Sequence, residues 1–190
     1  MCSSDLGLTV VDPCDATEIG QVVEAFLAEP RPLYLRIQRG NVPVVLDPAS
    51  YRFAFGRARV LREPGEIGIV STGLVTERAL DAAEELARQG LAAGVLHVPC
   101  LVPFDSAAVV DFVRCVQVLV TVENHQIEGG LGTKVVEALY GAGIHRPLRR
   151  VGIPMRFIEC GTVPTLQARY GLTVSGIVAA VRELLREGTP

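Results

Sequence analysis

Lysine is nearly absent from this 190-residue chain: Lys134 is the only one, and the longest run of basic residues is Arg149-Arg150. A domain that grips nucleic acid through its phosphates needs a basic stripe, so nucleic acid is excluded as a partner. No run of 18 apolar residues occurs, and no basic segment followed by an apolar core opens the chain. Neither a membrane span nor a secretory signal is therefore read from it. The five cysteines, at positions 2, 14, 100, 115 and 160, are odd in number and form no CxxC. Disulfides and a structural zinc site are set aside in favour of reduced thiols in a cytoplasmic protein. Cys100 and Cys160 are expected to fill the core. The three histidines, His97, His125 and His145, are scattered.

What remains is apolar. Hydrophobic residues make up 49% of the chain, charged ones 21%, and the net charge is −3. That is enough to bury one sizeable core and part of another.

Runs rich in Val, Ile and Leu alternate with helical patterns. Residues 8–11 read as a strand. Asp15 caps a helix with Ile19, Val22, Val23, Phe26 and Leu27 on its apolar face, and residues 33–37 read as a second strand. Residues 38–56 are turn-rich and read as a linker. Strands over 58–62 and 67–71, joined by Glu63-Pro64-Gly65-Glu66, predict an antiparallel hairpin. Thr76 is expected to cap a helix that ends at Gly90. Residues 93–98 form a strand, 99–104 a loop, and Asp105 or Ser106 opens a short helix. Residues 116–122 have the continuous apolar character of a central parallel strand. A helix over 130–140, a last strand over 155–158 and a final helix from Thr173 or Ser175 complete the pattern. The expected fold class is α/β, a three-layer αβα sandwich with a mostly parallel sheet, preceded by a partial βαβ unit.

The most informative stretch is Val120-Thr121-Val122-Glu123-Asn124-His125-Gln126-Ile127-Glu128-Gly129-Gly130-Leu131-Gly132. A buried strand runs into a polar segment at the carboxyl end of the sheet, where α/β folds place functional groups. Both common nucleotide patterns fail: Thr133 stands between Gly132 and Lys134, and Val135 occupies the third glycine position of GxGxxG. Glu123 is expected to fix the turn by accepting backbone N–H bonds.

This segment resembles the hallmark of the transketolase C-terminal domain. So do Gly68-Ile69-Val70-Ser71-Thr72-Gly73 with the helix after it, and Val98-Pro99-Cys100-Leu101-Val102-Pro103-Phe104-Asp105. Upstream, residues 10–16 and 32–40 resemble the last β-α-β of that family's pyrimidine-binding domain. The resemblance covers nearly all of the chain from Gly7.

It implies residues 7–46 as a remnant of the pyrimidine-binding domain, 47–56 as a linker and 57–188 as the C-terminal domain. Residues 1–6 read as a non-native leader. It implies a C-terminal fragment or subunit of an enzyme that transfers two-carbon ketol units between sugar phosphates. Thiamine diphosphate and Mg²⁺ would belong to the parent enzyme. Neither is expected to bind this chain alone, because no Gly-Asp-Gly with a following Asn occurs in it. The implied partner is an N-terminal thiamine-diphosphate-binding section or subunit, in a homodimer or heterotetramer. Arg39 matches the family's arginine for the substrate's terminal phosphate, a role its planar fork suits. His125 is a second candidate substrate contact, against the plainer reading of a loop histidine bonded to backbone. No residue is assigned a catalytic or metal-binding role. Alternatives are the C-terminal part of a deoxyxylulose-phosphate synthase or of a 2-oxo-acid dehydrogenase β subunit, or a non-catalytic α/β interaction module.

Overall fold

β-branched strands and amphipathic helices sort into two sheets, one small and one large. The computed structural model describes residues 7–38 and 42–187. In the small sheet β1 (Thr9–Val11) pairs parallel with β2 (Leu33–Leu35), and helix α1 (Ala16–Ala28) crosses between them. The Asp15 carboxylate accepts from Glu18 N, as an N-cap should.

In the large sheet the strand order is β3 (Arg59–Arg62), β5 (Ala93–His97), β4 (Ile67–Ser71), β7 (Val118–Gln126), β8 (Leu148–Ile153). All neighbours run parallel except β3, which pairs antiparallel with β5. Ile67, Ile69, Val118, Val120 and Val122 pack on one face against α2 (Thr76–Arg88) and α6 (Val174–Glu187). Val70, Leu96 and Leu119 pack on the other against α3 (Ser106–Val113) and α4 (Leu131–Gly141). This is the expected three-layer sandwich, its central strands apolar because both faces are covered. Among the described residues no helix is long and apolar enough to cross a membrane.

Several expectations are corrected. β3 and β4 do not form a hairpin. The 63–66 connection passes over Gly94 at the start of β5, where a side chain would strike Glu63 O at 2.7 Å. β3 is thereby delivered to the far side of β5. The 99–104 stretch is not all loop: β6 (Cys100–Val102) leaves the large sheet and pairs antiparallel with β1. The last strand is Leu148–Ile153 rather than 155–158. Pro154 follows it, and Phe157 is fully exposed. Thr76 does not cap α2, which is entered through a 3₁₀ turn over Gly73–Val75. On α1 the buried positions are Glu18 and Val22, while Val23 and Leu27 face solvent. The inward face is rotated because it carries a carboxylate with interior partners. Cys100 is buried as expected, but Cys160 is exposed. Helix α5 (Val163–Arg169) was not foreseen.

Candidate functional site

The carboxyl ends of β4 and β7 meet the small sheet, and polar side chains of both units gather there. Glu123 ends the buried run of β7. Its side chain is fully buried and its oxygens accept from Leu131 N at 2.8 Å and Gly132 N at 2.9 Å. Burial pushes this carboxyl up, and the two N–H donors pull against it. Gly130 is required because a Cβ there would strike the carboxylate. The first free N–H groups of α4, a natural anion site, are therefore occupied by the protein's own Glu123. The glycine-rich turn is not a phosphate loop.

Arg36 follows β2 and reaches across the gap between the units. It donates to Asn124 O at 2.8 Å and to Asp12 Oδ2 at 3.3 Å. Burial pushes the Asp12 carboxyl up, against the pull of Arg36 and His97. Gly73, at φ +62°, packs against the Asp12 carboxylate and donates to Asp12 O at 3.0 Å. Only glycine combines that conformation with so close an approach.

A second polar cluster lies deeper. Ser71 donates to Thr76 Oγ1 at 3.0 Å, and Thr76 lies 2.9 Å from His97 Nδ1. His97 Nε2 donates to Glu18 Oε2, 2.8 Å away. Glu18 also accepts from Cys14 N at 2.7 Å and from the Tyr51 hydroxyl. Cys14, Glu18 and His97 hold donor atoms within 4.8 Å of one another, the separation of a metal site. The cluster is spent differently. The imidazole and carboxylate bind each other, and burial drives the Cys14 thiol far above its ordinary value of 9.0, away from the thiolate a soft metal requires. It is an interlock between α1, the 42–56 segment and the large sheet. Sequence reasoning missed it, because nothing local connects residue 18 to residue 97.

Of the two predicted substrate contacts, Arg39 lies outside the described residues. Gln38 and Val42, on either side of it, line a cavity of about 350 Å³ with Arg78, Asn124, Gln167 and Tyr170. His125 is exposed, its Nδ1 3.4 Å from Gln126 O. It borders a separate, smaller cavity with Asp12, Arg36 and Glu123.

The family signature described as "Transketolase, C-terminal domain" matches residues 56–177. An uncharacterized transketolase family protein of Sinorhizobium fredii is 46% identical over 183 residues, spanning 95% of this chain and 53% of that protein. A 6-deoxy-6-sulfo-D-fructose transketolase subunit of a Clostridium species is 39% identical, spanning 94% of this chain and 55% of that subunit. The 1-deoxy-D-xylulose-5-phosphate synthase of Heliobacterium modesticaldum is 33% identical, spanning 93% of this chain and 28% of the synthase. A solved split-gene transketolase, described as an inactive beta4 tetramer, superimposes with a TM-score of 0.88 at 36% identity. That match spans 95% of this chain and 58% of the solved one. The chain thus spans about half the length, or less, of the curated relatives it matches.

Proposed function

The chain belongs to the transketolase C-terminal domain family, and from that premise we propose that it serves as the C-terminal section or subunit of a cytoplasmic, thiamine-diphosphate-dependent transketolase. Residues 7–46 would close the pyrimidine-binding domain, 47–56 would link, and 57–188 would form the C-terminal domain. The observation that carries the reading is the likeness to the split-gene transketolase, which extends over the small sheet as well as the large one.

The residues in hand do not fit the cofactor. The anion-binding end of α4 is filled by Glu123, Asp12 is tied to Arg36, and the sequence holds no Gly-Asp-Gly with a following Asn. No step of ketol transfer is therefore routed through this chain. Its roles are to complete the fold, to contribute assembly surface and to border the substrate channel, where Arg39 would meet the sugar phosphate's terminal phosphate. Thiamine diphosphate and Mg²⁺ would reside on an N-terminal section or subunit, in a dimer or heterotetramer.

Calorimetric titration of thiamine diphosphate with Mg²⁺ tests this division. Binding is expected to the complex of this chain with its N-terminal section and not to this chain alone. Binding by this chain alone would overturn it.

A further inference from the structure

Among the described residues three buried side-chain oxygens have no hydrogen-bond partner: Asp12 Oδ1, Thr72 Oγ1 and Thr121 Oγ1. Two of the three line one cavity. It has a volume of about 170 Å³, several times the ~30 Å³ a water takes in the liquid. Asp12 is 5% exposed and Thr72 1% exposed, so both oxygens sit where an unmet hydrogen bond is costly. The small sheet and β6 supply an apolar wall through Val10, Leu101 and Val102. Arg36, His125 and Lys134 border the same space. Among the described residues the ammonium of Lys134 is held only by Glu137, at 3.9 Å on its own helix.

We propose that this cavity is a binding site for a small hydroxylated anion, which sets hydroxyl groups on Asp12 and Thr72 and a carboxylate or phosphate beside Arg36, His125 and Lys134. Asp12 Oδ1 asks for a donor and Thr72 can give or take, so hydroxyls suit both. The apolar wall takes the carbon backbone, and the basic groups take the charge. The site does not depend on the ketol-transfer reading. Its walls come from both units of the chain, so occupancy clamps the small sheet to the large one.

The whole chain is to be titrated by calorimetry with D-glycerate and with glycerol 3-phosphate, which separate the carboxylate and phosphate forms of the ligand. Propionate, glycerol and inorganic phosphate are the controls. One hydroxylated anion is expected to bind at least about tenfold more tightly than each control and to raise the melting temperature with concentration. Thr72→Val removes only the hydroxyl, and Lys134→Met only the charge of a half-buried side chain. Each is expected to weaken binding about fivefold or more while the far-ultraviolet circular dichroism stays unchanged. The proposal is overturned if no probe binds at about 20 mM, or if inorganic phosphate binds as well as the hydroxylated anions. It is overturned equally if neither variant changes the affinity.

Discussion

Glu18 and His97, 79 positions apart in the chain, meet at 2.8 Å with both side chains wholly out of solvent. One comes from the helix of the small sheet and the other from a central strand of the large one. The contact fixes how the two units sit, and its removal has a calculable consequence. Glu18→Ala strands the donors of Cys14, Tyr51 and His97 in the interior. Breaking a buried pair from one side costs about 3–5 kcal/mol. Urea unfolding should show a loss of that order, and a change below about 1 kcal/mol would reduce the interlock to a packing contact.

The same carboxylate gives a pH signature. Burial pushes Glu18 up, but His97, Tyr51 and Cys14 N together outweigh it and hold the carboxyl below its ordinary value of 4.5. A depressed folded-state value means stability present above the unfolded value and lost as pH falls through the folded one. The stability gap between the native chain and Glu18→Gln should therefore be widest near neutral pH and narrow below pH 4.5. A gap that widens in acid would reverse the assignment.

Arg36 is the second tie between the units, through Asn124 O and Asp12. Hydrogen bonds to a charged group contribute about 1.5–3 kcal/mol. Arg36→Met keeps most of the aliphatic stem and should lose about that much in thermal or urea unfolding. Hydrogen exchange should rise first at β1 and β2, and uniform loosening across the large sheet would contradict the placement.

Thiol reactivity should divide by position. Burial pushes Cys100 up to about 11 and Cys14 far higher, while Cys115 and Cys160 are exposed. Only the thiolate reacts. At pH 8, mass spectrometry should find Cys115 and Cys160 alkylated promptly, and Cys14 and Cys100 only after unfolding. Prompt labelling of Cys14 would refute the closed interlock.

The small unit leaves apolar surface uncovered: Leu27 is 71% exposed, Ile37 64% and Tyr34 54%. Among the described residues β2 is also an edge strand with an unpaired side. The chain on its own should self-associate with concentration in light scattering. Leu27→Glu combined with Ile37→Lys should shift it toward monomer. A clean monomer at high concentration before substitution would contradict this.

Periodicity made the central strands legible, because β4, β5 and β7 are buried on both faces and read as unbroken apolar runs. Helices α2, α4 and α6 declared themselves by their apolar stripes. Strand pairing was not legible. That β3 joins β5 depends on a connection crossing Gly94, a tertiary choice with no local mark. β8 was hidden because Arg149 and Arg150 interrupt it. The ion pairs of Arg149 with Glu183 and Glu187 and the bond of Arg150 to Ile127 O explain how two arginines fit there. α5 is short and buries only Gln167, so no stripe announced it. The Thr162 cap with Pro164 at the helix start could have done so. At the sheet's carboxyl end the Glu123 turn was readable from its residues. The Glu18–His97 and Arg36–Asn124 ties were not, since they join residues 79 and 88 positions apart.

Under the proposed function this chain supplies structure and rim to a ketol transferase, while the reacting cofactor sits on an N-terminal section or subunit. The most direct measurement is two-carbon ketol transfer between sugar phosphates, assayed for this chain, for its N-terminal section and for their mixture, with thiamine diphosphate and Mg²⁺ in each. Activity in the mixture alone is the predicted result. Turnover by this chain without the N-terminal section, or a formed complex that transfers nothing, would contradict it.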